Sequence, residues 1–135
     1  MLHDIEILQD PWRIKAVGGT RAGLLIASMK GLFQAAGLAH PSNGDEARKS
    51  FELHADDAQT LILQVLRHVS QLAAAHCESY DEINFSLITD KEAKGEFIGR
   101  HITTCPPIPA VLGIDGEIVK GEDGLWHAVI ALGKQ

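Results

Sequence analysis

Phe51-Glu-Leu-His-Ala-Asp-Asp-Ala-Gln-Thr-Leu-Ile-Leu-Gln-Val-Leu-Arg-His-Val-Ser70 contains both periodicities from which a fold is read. Phe51, Leu53 and Ala55 alternate with Glu52 and His54, the period of a strand with one buried face. Asp56 followed three residues later by Gln59 has the form of a capping box. Behind it Leu61, Ile62, Val65, Leu66, Val69, Leu72 and Ala73 make one apolar stripe, which predicts an amphipathic helix of about four turns.

The same order stands earlier in the chain. Arg13-Ile-Lys-Ala-Val17 alternates charged and apolar residues, so Ile14 and Ala16 are expected to face inward. Gly18-Gly19 breaks the strand and Thr20 is a good N-cap. Leu25, Met29, Leu32, Phe33 and Ala36 then recur at helical spacing, with Gly37 as the stop. Gly23 and Gly31 lie inside that helix, each at a cost of roughly 1 kcal/mol against alanine. Ile14–Phe33 and Phe51–Ser70 thus match as strand–turn–helix units, with Leu24 against Leu61, Leu25 against Ile62 and Met29 against Leu66. Duplication and convergence on one local pattern both account for the match.

Residues 40–49 are polar and turn-rich and read as a surface connection. Beyond the second unit the chain is strand-rich. Ile83, Phe85 and Leu87 alternate with polar residues, and 95–100, 111–114 and 125–132 are further strands. Asp115-Gly116 and Glu122-Asp123-Gly124 read as hairpin turns. Thr103–Pro109 holds three prolines, which places it at an edge or in a loop. Two helices among about seven strands predict an α+β fold, a mixed and largely antiparallel sheet with both helices on one face.

The 135 residues suit one domain, and a chain of this size buries roughly 68% of its unfolded surface. Twelve Lys and Arg against eighteen Asp and Glu give a net charge of −6. That balance speaks against broad binding to nucleic acid or to anionic lipid. Seven aromatic residues also offer little for stacking bases. Asp4, Glu6 and Asp10 interrupt any signal peptide, and no apolar run reaches the ~20 residues that cross a bilayer. A cytoplasmic protein without a membrane span is expected. The charge is uneven, however: residues 11–40 hold Arg13, Lys15, Arg21 and Lys30 and no acid. Arg13, Lys15 and Arg21 are therefore candidates for binding an anion or an acidic partner, against the simpler reading of a solvated strand face. The acidic clusters 78–82 and 115–123 read as solvated loops.

Motifs that specify chemistry are few. His3, His40, His54, His68, His76, His101 and His127 are scattered without a paired spacing. His101 and Cys105 suit a soft metal or a ligand pocket, but two ligands do not complete a zinc site. His76 at the end of the long helix complements the helix dipole. A nucleophilic Cys77 or Cys105 would need a neighbouring base and a lowered pKa. Gly18–Gly23 between strand and helix reads either as an anion-binding turn or as a tight connection.

Over nearly its full length the chain resembles the archease family. The likeness lies in Ile14-Lys-Ala-Val-Gly18, the following helix with Leu32-Phe33, and Phe51-Glu-Leu-His-Ala-Asp-Asp57 with Leu61-Ile-Leu-Gln-Val-Leu66. Gly95-Glu96 followed by His101, and Trp126 in the last strand, complete it. The resemblance implies a small α+β accessory protein that helps an RNA ligase of tRNA splicing become guanylylated and turn over, with acidic residues that hold a divalent cation. Departures fall on the motifs for that metal. A His-Thr-Ala-Asp motif is replaced by Leu8-Gln-Asp-Pro11, a Lys-Ala-Val-Thr-Tyr-His segment by Pro109-Ala-Val-Leu-Gly-Ile114, and an Asp-Ile by Ala131-Leu132.

The resemblance thus implies a non-catalytic accessory protein for an RNA ligase or another RNA-processing enzyme, without the family's metal site. No cofactor is then expected. Two alternatives differ in class. One is a divalent-metal protein with a rearranged site of Asp10, Glu96 and His101. The other is a small ligand-binding protein or enzyme with a pocket near His101 and Cys105.

Overall fold

The computed structural model describes residues 3–9, 12–38, 44–103 and 105–133. The chain order is β1 (His3–Gln9), β2 (Trp12–Gly18), α1 (Arg21–Ala35), β3 (Glu46–His54), α2 (Ala58–His76), β4 (Glu78–Ile88), β5 (Glu92–His101), β6 (Ala110–Ile114), β7 (Val119–Lys120) and β8 (Trp126–Gly133). The α+β class holds. The strands divide between a five-stranded sheet, β1-β2-β8-β6 with β7 also on β8, and a three-stranded sheet, β3-β5-β4. Every strand pairing among the described residues is antiparallel.

The division follows from where the helices sit. α1 packs on β1, β2 and β8 of one sheet and on β4 of the other. A helix with a sheet on either side has no solvent face of ordinary width, so it must be apolar or small nearly all round. Gly23, Leu24, Leu25, Ala27, Ser28, Met29, Gly31, Leu32 and Phe33 are all buried, and Ser28 returns its hydroxyl to the Leu24 carbonyl at 2.8 Å. α2 carries the single stripe read from the sequence: Leu61, Ile62, Val65, Leu66, Val69 and Ala73 are buried. It packs on all three strands of the smaller sheet, on β6 and on α1.

The two strand–helix units match in local geometry. Thr20 caps α1 through its side chain to the Gly23 N–H at 2.9 Å, and Asp57 caps α2 to the Thr60 N–H at 2.7 Å. The cap is thus Asp57 rather than Asp56. Gln59 is free to do something else: its side chain accepts from the Ile118 N–H at 3.2 Å and donates to the Gly116 carbonyl at 3.1 Å. The match ends at the sheets, because β2 lies inside the larger sheet and β3 at the edge of the smaller one.

Three other expectations change. β3 begins at Glu46, inside the stretch read as a connection, because Ala47 supplies an inward position opposite Gly99. β1 is a further strand, in which Ile5 and Ile7 alternate with Asp4 and Glu6 under a run of acids. Asp115-Gly116 turns the chain but joins no hairpin: β6 and β7 pair one after the other with the same strand, β8. Glu122-Asp123-Gly124 does close the β7–β8 hairpin, with the Gly121 N–H on the Leu125 carbonyl at 2.8 Å.

α2 also secures the chain that leads into and out of β6. Ser70 Oγ donates to the Pro109 carbonyl at 2.6 Å, and Arg67 donates to the carbonyls of Val111 at 3.0 Å and Leu112 at 2.6 Å. With Gln59 on Gly116 and Ile118, one polar row of the helix satisfies backbone groups along a sheet edge that would otherwise recruit another strand. No helix among the described residues is long and apolar enough to cross a membrane.

Two glycines permit close approaches between neighbouring elements. A Cβ on Gly18 would stand 2.3 Å from the Leu24 nitrogen, so β2 and the first turn of α1 meet only through a bare backbone. A Cβ on Gly99 would stand 1.8 Å from the Ser79 carbonyl oxygen, beside the β4 bulge at Tyr80–Glu82. Gly18→Ala and Gly99→Ala are each expected to destabilise the fold by about 1–3 kcal/mol in urea unfolding. Gly113→Ala, where a Cβ meets nothing within 4 Å, should change stability by less than about 0.5 kcal/mol. Equal behaviour of the three variants would refute this packing.

Candidate functional site

Glu96 and His101 both lie on β5, the central strand of the smaller sheet. Five residues of strand separate them by roughly 16 Å, and their odd and even positions put them on opposite faces. The structure therefore does not bring them together. Asp10, the third member of the rearranged metal set, lies outside the described residues. Among the described residues no group of three or more His, Cys, Asp or Glu is placed to hold a metal ion.

The basic candidates are engaged within the protein. Arg13 pairs with Asp115 at 3.0 Å. Arg21 pairs with Asp90 and lies over the Trp126 ring at 5.4 Å from its centroid, which ties α1 to the β4–β5 turn and to β8. Lys15 is exposed on β2, across the ladder from Glu6. The stripe is thus partly neutralised by acids that are distant in sequence. Gly18–Gly23 proves to be a tight connection, filled by the Thr20 cap and the Gly18 contact.

Glu96 belongs to a polar surface of another kind. Both helices pack on the side of the smaller sheet that carries Phe51 and Phe97, whose rings stack at 4.4 Å. The other side faces solvent. In register across it stand Glu52 and Lys94; Ser50, Glu96 and Asn84; then Arg48, Ile98 and Glu82. Lys94 meets Glu52 at 3.2 Å, and Arg48 reaches Glu46 at 3.0 Å and Glu96 at 3.7 Å. His54 adds contacts to Glu92 at 3.0 Å and Glu52 at 3.5 Å. The hydrogen bond from Lys94, then that from His54, holds the Glu52 carboxyl below its usual pKa. A shallow groove of about 570 Å³ runs over this face, lined by Ser50, Glu52, Asn84, Ser86, Lys94 and Glu96 among others. Gly95 lies under it because a Cβ there would stand 2.3 Å from the Asn84 carbonyl oxygen, next to the second β4 bulge.

His101 marks a different corner. Its ladder partner is Glu78, the first residue of β4. The expectation of a solvated loop over 78–82 is overturned, because this stretch is strand and its first acid is buried. Glu78 accepts a hydrogen bond from the Tyr80 hydroxyl at 2.5 Å and lies 3.5 Å from Lys49 Nζ. Lys49 comes from β3 and Glu78 from β4, so this ion pair spans β5 above Gly99. A buried carboxylate persists only with such partners. Sequence reasoning missed the cluster, yet signals existed: Lys49 occupies an inward position between Ala47 and Phe51, and Glu78 and Tyr80 share a face. Cys105, a little further along the chain, turns its exposed thiol to the Pro106 carbonyl at 3.6 Å.

No protein-family model matches the sequence, and no curated protein matches it. The fold is similar to the solution structure of Methanobacterium thermoautotrophicum protein 1598, with a TM-score of 0.50 at 17% identity and 90% of each chain covered. At that identity the likeness concerns the fold alone.

Tyr80 is the chain's single tyrosine, which makes the corner readable in solution. Burial, then the Glu78 carboxylate, holds its hydroxyl far above the usual 10.0. A pKa raised in the folded state gives stability that is complete below the unfolded value and lost as pH rises beyond it. Tyrosinate absorbance is therefore expected to appear only together with unfolding at alkaline pH. A reversible titration near pH 10 with the near-ultraviolet dichroism intact would contradict the buried Tyr80–Glu78 pair.

Proposed function

We propose that the protein is a non-catalytic, archease-like accessory protein that docks on an RNA-processing enzyme, an RNA ligase of tRNA splicing being the partner the sequence resemblance implies. The observation that carries the reading is the polar face around Glu96. It is an open, shallow groove on a helix-free sheet surface, with both signs of charge in register, a form suited to a macromolecular surface rather than to an enclosed small molecule.

The protein acts in this reading without the metal site of the resembled family. Leu112, Gly113, Ile114, Ala131 and Leu132 stand where that family's polar motifs would fall, and none of their side chains can donate to a hard cation. Glu96 and His101 keep their places in sequence but lie on opposite faces of β5. Glu96 then serves as a charged contact in the groove, and His101 belongs to the Glu78 corner.

An RNA ligase from the same source should be retained by the immobilised protein, and its ligation turnover should rise when the protein is added. Glu96→Lys on the rim of the groove should weaken retention by about tenfold or more while leaving thermal stability nearly unchanged. Loss of neither retention nor turnover in that variant would remove the groove from the account. Failure of the wild-type protein to bind or stimulate the ligase would remove the partner.

A further inference from the structure

The two edges of the smaller sheet differ. β4 is interrupted by bulges at Tyr80–Glu82 and Phe85–Leu87, which break the straight ladder that another strand needs. β3 pairs with β5 from Glu46 to His54 without interruption. The ladder continues at both ends, with the Ala55 N–H on the Lys91 carbonyl at 2.8 Å and the His101 N–H on the Asp45 carbonyl at 2.9 Å. These rungs fix the parity of the strand. Its odd-numbered residues turn their backbone groups to β5, and Glu46, Arg48, Ser50, Glu52 and His54 turn theirs outward. Among the described residues no other strand, turn or helix end bonds those outward groups.

We propose that the open edge of β3 pairs with β3 of a second copy of this chain, antiparallel and about a two-fold axis at Ser50. Two three-stranded sheets then become one of six strands. The charge order of the strand selects this occupant. Reversed about Ser50, Glu46 falls opposite the partner's His54, Arg48 opposite the partner's Glu52, and Ser50 opposite the partner's Ser50. Each acid on the solvent face thus meets a basic side chain, and the two-fold axis repeats every such pair. The same residues carry the outward backbone groups, so each facing pair also exchanges both of its ladder bonds.

The side chains are able to reach across. Glu46, Arg48, Glu52 and His54 have 52–59% of their side chains exposed, and their contacts within the chain are solvated ion pairs that exchange at little cost. On the inner face Ala47 falls opposite the partner's Leu53, a side chain half-buried in the single chain. An inward charge on an edge strand ordinarily blocks such pairing. Lys49 does not, because it reaches back over β5 to Glu78 at 3.5 Å, away from the edge. β1, at the edge of the larger sheet, has no such symmetry: reversed about its centre it sets Glu6 against the partner's Glu6. The contact is one strand wide, so the dimer belongs with small, reversible interfaces. Ser50 also lines the groove around Glu96, so pairing at the axis joins two such grooves into one surface.

Sedimentation equilibrium of the wild-type chain from micromolar to millimolar concentration should show a reversible monomer–dimer equilibrium. Over the same range the amide hydrogens of Arg48, Ser50 and Glu52 should exchange more slowly as concentration rises, while those of the β7–β8 turn keep their rates. Ser50→Pro removes an outward N–H that β5 does not use, and should weaken the dimer about tenfold or more while the monomer stays folded. Arg48→Glu and Glu52→Arg each set like charges opposite one another, so each variant alone should be monomeric where the wild type is dimeric. An equal mixture of the two should form a one-to-one heterodimer, because every facing pair is then complementary. The proposal is overturned by a wild-type chain that stays monomeric at millimolar concentration. It is equally overturned by variants that dimerise as the wild type does, or by a mixture that stays monomeric. None of these readouts involves an RNA ligase, so the result is distinguishable from the fate of the accessory role.

Discussion

The burial of α1 between two sheets is the constraint from which the rest of this architecture follows. A helix with β2 on one side and β4 on the other keeps only a narrow exposed strip at Lys30 and Gln34, and its core positions run Leu24, Leu25, Ala27, Ser28, Met29, Leu32 and Phe33. Close approach demands small residues where backbones meet, and Gly18 under the Leu24 nitrogen is the one that lets β2 meet the first turn of α1. Once α1 is enclosed, the larger sheet turns one face to it. The smaller sheet presents Phe51, Phe97 and Tyr80 to the helices and leaves Arg48, Glu52, Lys94 and Glu96 to solvent. The proposed docking face exists because both helices are on the other side.

α2 has a second task that its apolar stripe does not reveal. Ser70, Arg67 and Gln59 form a polar row that hydrogen-bonds the backbone from Pro109 to Ile118. That row protects the outer edge of β6 and fixes the route by which the chain returns from β5. The same return is tied at its start by the Ile102 N–H on the Cys77 carbonyl at 2.8 Å.

Local pattern made much of this legible. The alternation at Ile14–Ala16 and Phe51–Leu53, the stripe from Leu61 to Ala73 and the Thr20 cap appear in the structure where short-range rules put them. What stayed hidden depended on partners far apart in sequence. Glu78 looks like one acid in a solvated run until Lys49 crosses the sheet to meet it. Arg13 and Arg21 look like free cations until Asp115 and Asp90 fold onto them. Gly95 carried part of the family resemblance, and the physical demand behind it is the close approach of β4 at its second bulge. Glu96, the other half of that motif, has no such packing duty, which is why its role is sought at the surface.

The accessory role is tested most directly by mapping the contact on the folded protein. Backbone amide resonances of isotopically labelled protein, followed during titration with an RNA ligase, should shift or broaden at Arg48, Ser50, Asn84 and Glu96. Amides in the core of α1, such as Ala27, should stay in place. Perturbation confined to the larger sheet, or none at saturating ligase, would contradict the account.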